Sequence, residues 1–268
     1  RELTYYLKNT SNDKADSGYE NNVIGGGISL TYEKFKDIYL SPGISLLHDD
    51  LKTDSSASSL LKKQSGTSTD LLFDYSLATD KRDRRFMPTA GYYSSFFQEI
   101  PIYSDQPHMK NGFSTSHYKE LNQDIIGALK FRATAVNAIG DDDVKLSQRL
   151  NVNTRQLRGF EAGKVGPKDG DDFIGGNYTT SLNLEANLPN FFPEKSNAEI
   201  GLFLDAGNVW GVDYSDSIDD SNKIRSTIGI NTSWISPAGP LSFVFSNNLS
   251  KASTDVTQSF NFRLGTTF

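Results

Sequence analysis

The sequence predicts an all-β protein, an antiparallel barrel that spans a membrane. Three observations carry that expectation. Apolar and polar residues alternate along about twelve segments of strand length. The connections between those segments are short and long by turns, and the long ones are polar, which is the pattern of an outer-membrane barrel. One face of the strands is apolar while the opposite face carries Arg, Glu, Asp and Asn, and no helix or second set of strands is written into the chain to cover the apolar side. A soluble sandwich would also alternate, but lipid outside and water inside account for both faces together.

Composition bounds the rest. In 268 residues there are 17 Phe, 12 Tyr, 2 Trp and 22 Gly, a mixture that suits strands better than helices. Mean hydropathy is −0.48 and no run of about 18 apolar residues occurs, so a transmembrane helix is not expected. A barrel strand needs only about 9–11 residues with alternate ones facing water, so low hydropathy leaves a membrane open. Cysteine is absent, which removes disulfides and thiolate metal sites. The three histidines, His48, His108 and His117, lack ligand spacing. A net charge of −6 and an isoelectric point near 5.1 argue against nucleic acid. The chain opens Arg1-Glu2-Leu3-Thr4 with no leader, which reads as a mature piece shortened at its N-terminus.

In chain order, Leu3, Tyr5 and Leu7 give the first apolar face, and a polar loop is expected from Asn9 to Glu20. Ile24, Gly26, Ile28, Leu30 and Tyr32 share the next face, and a tight turn follows at Lys36-Asp37. Ile38, Leu40, Pro42, Ile44 and Leu46 come third, with Pro42 costing a ladder bond. A long loop is expected over Leu51–Ser68, then a strand with Leu71, Phe73, Tyr75 and Leu77. The run Asp80 to Gly91 reads as a turn carrying four basic residues, a solvated feature rather than chemistry. Strands follow at about Gly91–Ile102, Gly112–Leu121 and Ile125–Ile139. The longest turn-rich segment, Gly140 to Gly176, is too long for a hairpin connection and must fold back onto something.

Beyond it the alternation is regular. Leu182 and Leu184 face away from Asn183 and Glu185, and Leu202 and Leu204 away from Phe203 and Asp205. Pro189–Ser196 is a turn and Asn208–Asn222 an acidic loop. Ile228, Ile230 and Trp234 oppose Arg225, Thr227 and Gly229. A short turn at Ser236–Pro240 leads into Leu241, Phe243 and Phe245. The final strand sets Phe260, Phe262, Leu264 and Phe268 on one face and Asn261, Arg263 and Gly265 on the other. Trp210, Trp234, Tyr178 and Phe268 suit either interfacial girdles or plain packing. The acidic runs Asp141–Asp143 and Asp169–Asp172 lack the ligand order of a calcium loop and read as solvated loops.

Within the long loop lies Leu157-Arg158-Gly159-Phe160. Strand parity puts Glu185 and Asp205 on the wetted face, where Arg158 can reach both. Spacing alone leaves Arg158 an ordinary loop cation and the two carboxylates ordinary wetted groups. The quartet resembles the loop motif of the Omp85 family, the outer-membrane insertases and transporters. Three further stretches resemble that family in the right order: Phe203-Leu204-Asp205-Ala206-Gly207-Asn208-Val209-Trp210, the turn Ser236-Pro237-Ala238-Gly239-Pro240-Leu241, and Phe260 to Phe268 as a terminal β-signal. The resemblance runs from about Asp80 to the last residue, with Leu157 where Val is more usual.

The resemblance implies that residues 1–268 are about the last twelve strands of a sixteen-strand barrel, without the first strands and the periplasmic POTRA domains. It implies that Arg158 locks the loop against Glu185 and Asp205, with Gly159 allowing the close approach. Gly265, on the lumen face three residues before Phe268, has no side chain to pack and is expected to weaken or kink the terminal strand and so loosen the seam that ends at Phe268. The expected function is folding and insertion of outer-membrane β-barrel proteins in the bacterial outer membrane, on unfolded clients, with accessory lipoproteins reached through the POTRA domains. No covalent catalysis, cofactor or metal is expected. A protein translocation or secretion pore of the same family, a passive porin, and an outer-membrane enzyme are the other readings.

Overall fold

The computed structural model describes residues 1–14, 18–85, 87–122, 124–188, 198–219, 223–236 and 239–264. Twelve strands form one antiparallel sheet: β1 (Glu2–Lys14), β2 (Tyr19–Phe35), β3 (Ile38–Thr53), β4 (Gly66–Asp80), β5 (Gly91–Ser104), β6 (His108–Glu120), β7 (Ile126–Ala138), β10 (Tyr178–Asn187), β11 (Ala198–Trp210), β12 (Arg225–Ser236), β13 (Gly239–Ser250) and β14 (Phe260–Leu264). Each pairs with the next in sequence. The loop between β7 and β10 carries a two-stranded hairpin of its own, β8 (Lys168–Asp169) with β9 (Asp172–Phe173). A single helical turn, α1 (Ser59–Lys62), sits between β3 and β4. Among the described residues the sheet has two edges, β1 and β14, with no pairing between them.

A strand of 13 residues, such as β11, is about 43 Å long at ~3.3 Å per residue, and at a tilt near 45° it rises roughly 30 Å. That is the thickness of a bilayer's hydrocarbon. The two faces of the sheet differ in the sense expected for lipid. Leu204 is 39% exposed while its neighbour Asp205 is 0% exposed. Leu202, Ile228, Ile230, Phe245, Phe260, Phe262 and Leu264 are likewise exposed. Burying carboxylates and exposing leucines would be costly in water and is favourable only when the outer solvent is hydrocarbon.

Pro42 behaves as its chemistry requires. The β2–β3 ladder breaks between Ser29↔Gly43 and Tyr32↔Leu40, where Pro42 has no N–H to give, while Pro42 still pairs with Tyr75 on β4. Four expected boundaries move. The polar stretch from Asn9 is strand up to Lys14 and again from Tyr19, because the ladder runs on through Ser11↔Asn22 regardless of side-chain polarity. The loop expected over 51–68 contracts to 54–65, since Leu51 and Gly66 pair across β3 and β4. The sixth strand starts at His108, four residues before the apolar alternation becomes visible. Asn208, Val209 and Trp210 complete β11 instead of opening the acidic loop. The turn at 189–196, Gly265 and Phe268 lie outside the described residues.

Loops on the long side pack on one another. Tyr19, Leu51, Ala57, Leu61, Leu146 and Ile174 form a buried cluster, with Val212, Tyr214 and Ile218 against it. Arg149 binds Asp213 and donates to Asn177 Oδ1 at 2.9 Å and to the Val144 carbonyl at 3.1 Å, tying two loops together. Burial alone would raise the Asp213 carboxyl, but the Val144 N–H, Arg149 and Asn177 hold it below the ordinary 3.8. A carboxylate depressed on folding stabilises above its unfolded value and loses that stabilisation as pH falls through the lower folded value. A spin label at Asp142→Cys should therefore stay immobile down to pH 4 and gain mobility only below the ordinary aspartate value; Asp213→Asn should make the loop mobile at neutral pH.

The same loops define sidedness. Cysteines at Ser56→Cys, in the β3–β4 loop, and Lys36→Cys, in the β2–β3 turn, lie at opposite ends of the sheet and both are exposed. A membrane-impermeant maleimide on intact cells should label the first and not the second. Equal labelling would refute the orientation.

Candidate functional site: the arginine seat on the inner wall

The loop that bears Arg158 is prepared by a local turn. Asn153 Oδ1 accepts the N–H groups of Arg155 and Gln156, both at 2.9 Å, and Gln156 Oε1 accepts Asn153 N–H at 3.0 Å. This is the reciprocal arrangement of a capping box. It starts one helical turn, closed by Leu157 N–H to the Asn153 carbonyl at 3.1 Å. The turn delivers Leu157 into a buried cluster with Val152, Phe160, Val165 and Val209. Leu157 and Phe160 are 1% and 2% exposed, so each contributes about 2 kcal/mol of apolar burial to the docking of the loop.

Four strands form the seat, each through residues on its inner face. Register sets Asn183 opposite Asp205, Glu185 opposite Phe203, Asp205 opposite Thr227, Phe203 opposite Gly229, and Thr227 opposite Asn248. Arg158 drops onto this grid. Its backbone N–H and Nε donate to Asp205 Oδ2 at 3.0 and 2.7 Å, and one terminal nitrogen donates to Asp205 Oδ1 at 2.6 Å. The same nitrogen lies 2.9 Å from Glu185 Oε1. The guanidinium carbon stands 3.7 Å above the centre of the Phe203 ring. A planar cation stacked on a ring and forked to a carboxylate uses every feature that separates Arg from Lys.

Two partners were not visible in the sequence. Lys130 on β7 binds Glu185 Oε2 at 2.6 Å, so the two carboxylates face two cations. Asn183 donates to Asp205 Oδ1 at 2.8 Å and to the Gln156 carbonyl at 2.9 Å. Strand parity places both residues on the inner face, but only the register across three strands says that they converge. Asp205 thus accepts four bonds on two oxygens, which uses its capacity.

Gly159 has φ of +87° and a Cβ there would lie 2.9 Å from Ser246 Oγ and Thr227 Cγ2, so both its conformation and its space demand glycine. Gly229 is required for a different reason. A Cβ there would run into the Phe245 carbonyl and the Phe203 ring, so this glycine leaves room for the neighbouring strand and for the ring beneath the guanidinium. The Gly159 carbonyl accepts Asn248 Nδ2 and the Gln258 N–H, each at 3.0 Å. Of the terminal-strand residues, Phe260, Phe262 and Leu264 face outward. Arg263 faces inward, and it donates to the Thr154 carbonyl at 2.8 Å. The loop residues and the terminal strand therefore meet, which their separation in sequence did not reveal.

A sheet with a lipid-facing apolar side, long loops folded onto a polar inner face, and an arginine of one loop locked to that wall define a membrane β-barrel protein with an internal loop lock. The comparisons with known proteins agree. The model of the Omp85 superfamily domain matches residues 1–268, and the chain belongs to that family. It is 28% identical over 236 residues to a protein named outer membrane protein assembly factor BamA from Neorickettsia risticii, covering 86% of this chain and 32% of that one. It is 26% identical over 169 residues to the human sorting and assembly machinery component 50 homolog, covering 60% and 36%. Among solved structures, that of BamA from Haemophilus ducreyi lacking POTRA domains 1–3 superposes with a TM-score of 0.84 at 23% identity, over 97% of this chain and 57% of that one. The chain spans about a third of the length of these two sequence relatives.

The seat predicts a graded response. Arg158→Ala leaves Asp205 buried with only Asn183 and a backbone N–H, and breaking such a pair costs about 3–5 kcal/mol. Arg158→Lys keeps the charge but loses the fork and the stacking, and should recover less than half of that. Urea unfolding of the detergent-solubilised full-length protein, followed by heat-modifiable gel mobility, measures both. Equal midpoints for wild type and Arg158→Ala would refute the lock.

Proposed function

We propose that this chain is the barrel portion of an outer-membrane assembly factor, which folds and inserts β-barrel proteins into the bacterial outer membrane. The observation that carries this reading is the terminal hairpin. At its long-loop end the β13–β14 ladder stops at Phe245↔Phe260, while β13 continues to Ser250 and, among the described residues, no strand covers Asn247–Ser250 on that side. Backbone donors and acceptors left uncovered there are free to template an incoming strand. The relatives' names, assembly factor and sorting and assembly component, support the same reading.

In this mechanism the client's strand is guided by backbone hydrogen bonding, which is independent of its sequence. The Arg158 seat keeps the central loop on the inner wall beside β13 while the terminal hairpin opens. The reaction needs no covalent intermediate and no cofactor. The partners are the lipid bilayer and unfolded outer-membrane clients, with accessory lipoproteins bound through POTRA domains of the full-length protein. A passive porin is disfavoured because the 139–177 loop is packed on the inner wall and would obstruct a pore. A translocation pore of the same family differs in what happens to the client: it would leave the membrane instead of remaining in it.

The test is client folding in liposomes containing the full-length protein. Wild type should raise the rate at which an unfolded barrel becomes protease-resistant in the bilayer, and Asp205→Asn, which removes the carboxylate that forks to Arg158, should lower that rate several-fold. Clients recovered in the lumen of the liposomes, not in their membrane, would favour the translocation pore.

A further inference from the structure

A second buried ion pair joins the central loop to the terminal hairpin. Arg225, at the start of β12, donates through Nε to Asp255 Oδ2 at 2.9 Å and through a terminal nitrogen to Asp255 Oδ1 at 3.0 Å. Its other terminal nitrogen donates to Asn208 of β11 and, at 2.9 Å, to the Lys223 carbonyl. Asp255 also accepts the Ala252 N–H at 2.6 Å and the Gly166 N–H at 3.4 Å. Both side chains are almost fully buried, 3% and 0% exposed. The pair therefore draws together β11, β12, the loop that bears Arg158 and the segment between β13 and β14.

What that segment does follows from its backbone. Glu161 N–H donates to the Val256 carbonyl at 3.0 Å, Gln258 N–H to the Gly159 carbonyl at 3.0 Å, and Val256 N–H to the Lys164 carbonyl at 3.1 Å, and Phe160 bridges to Thr257. Residues 256–258 thus lie on the loop. The β13–β14 register offers them another place. Phe245 faces Phe260, and Ser246 N–H still reaches the Ser259 carbonyl at 2.8 Å. Carried on, that register would set Leu249 opposite Val256 and Ser250 opposite Asp255, with Lys251, Ala252, Ser253 and Thr254 as the connection. The hairpin could close along the whole of β13, yet among the described residues no strand covers Asn247–Ser250 on that side.

Arg225 explains the choice. It adjoins Ser226, which pairs with Ser250 across β12 and β13. Strands lie about 4.8 Å apart, so an Asp255 paired to Ser250 in the wall would stand two strands, roughly 10 Å, from the rung of Arg225. Asp255 is instead forked to Arg225 at 2.9 and 3.0 Å and also accepts the Gly166 N–H of the central loop, and the next residues, 256–258, bond that loop through their backbone. We propose that Arg225 and Asp255 are positioning residues that hold the 255–259 segment on the central loop and so keep the long-loop end of β13 an open edge. The consequence for client strands rests on the insertion reading above. The pairing itself does not.

The chain has no cysteine, which makes a disulfide probe clean. In the full-length protein, Leu249→Cys with Val256→Cys can bond only when the two residues are opposed in the wall, since a disulfide needs the Cβ atoms about 3.5–4.5 Å apart. Crosslink yield under mild oxidation should be low in the native background and rise several-fold with Asp255→Asn or Arg225→Met. The swapped pair, Arg225→Asp with Asp255→Arg, should bring it back down, and heat-modifiable gel mobility identifies folded protein in every variant. An unchanged yield in folded Asp255→Asn, or a high yield already in the native background, would overturn the proposal. Crosslinking reads strand pairing whether or not the protein inserts clients, so failure of the insertion reading leaves this test intact. If that reading holds, oxidation of the cysteine pair in Asp255→Asn should also slow client folding in liposomes, and reduction should restore it.

Discussion

Arg158 is a buried cation whose desolvation is offset by the precision of its surroundings. An isolated guanidinium taken out of water would cost several kcal/mol, and only good geometry returns it. Here the fork to Asp205, the contact with Glu185 and the Phe203 ring supply that geometry. None of these partners is near Arg158 in sequence. The lock therefore forms only when β10 and β11 are in register and the loop has folded back. Arg158 thereby reports on the completeness of the wall, and a wall slipped by one residue would present leucines, not carboxylates, to the loop.

The same logic is repeated at other levels of the inner face. Arg225 with Asp255, Arg149 with Asp213, and Lys145 with Asp49 each join a loop to a strand or to another loop. A sheet whose outer face must be apolar has only its inner face and its loops in which to place specific polar contacts. Apolar burial is correspondingly concentrated in two loop clusters, one around Leu61 and Leu146 and one around Leu157 and Phe160. Hydrocarbon outside gives the strands no preference among apolar partners, so ion pairs and hydrogen bonds supply the uniqueness of the loop arrangement.

The terminal hairpin is the place where this arrangement is left incomplete. Its register would permit full closure, but the 256–258 segment spends its backbone bonds on the Arg158 loop. Gly159 makes that contact possible, because its carbonyl receives both the Gln258 N–H and the Asn248 side chain. One loop is thus locked to the wall on its Arg158 side and joined to the terminal hairpin on its Phe160 side.

Strand alternation was legible residue by residue, because a period of two needs only side-chain polarity to be read, and it placed Asn183, Glu185, Phe203 and Asp205 on the inner face correctly. It failed at strand ends such as Asn9–Lys14 and His108–Asn111, where ladder bonds continue through residues whose polarity carries no signal. The Arg158 quartet stood out through its family resemblance more than through its chemistry. Lys130, Arg225 and Asp255 did not stand out at all: each is a single charged residue in an ordinary polar setting. What made them partners is the stagger of neighbouring strands and the path of two loops across the inner wall. The sequence by itself determined which side of each strand meets lipid, since that follows from local polarity. Only the tertiary structure decided which charges meet, because pairing distances depend on register between strands far apart in the chain.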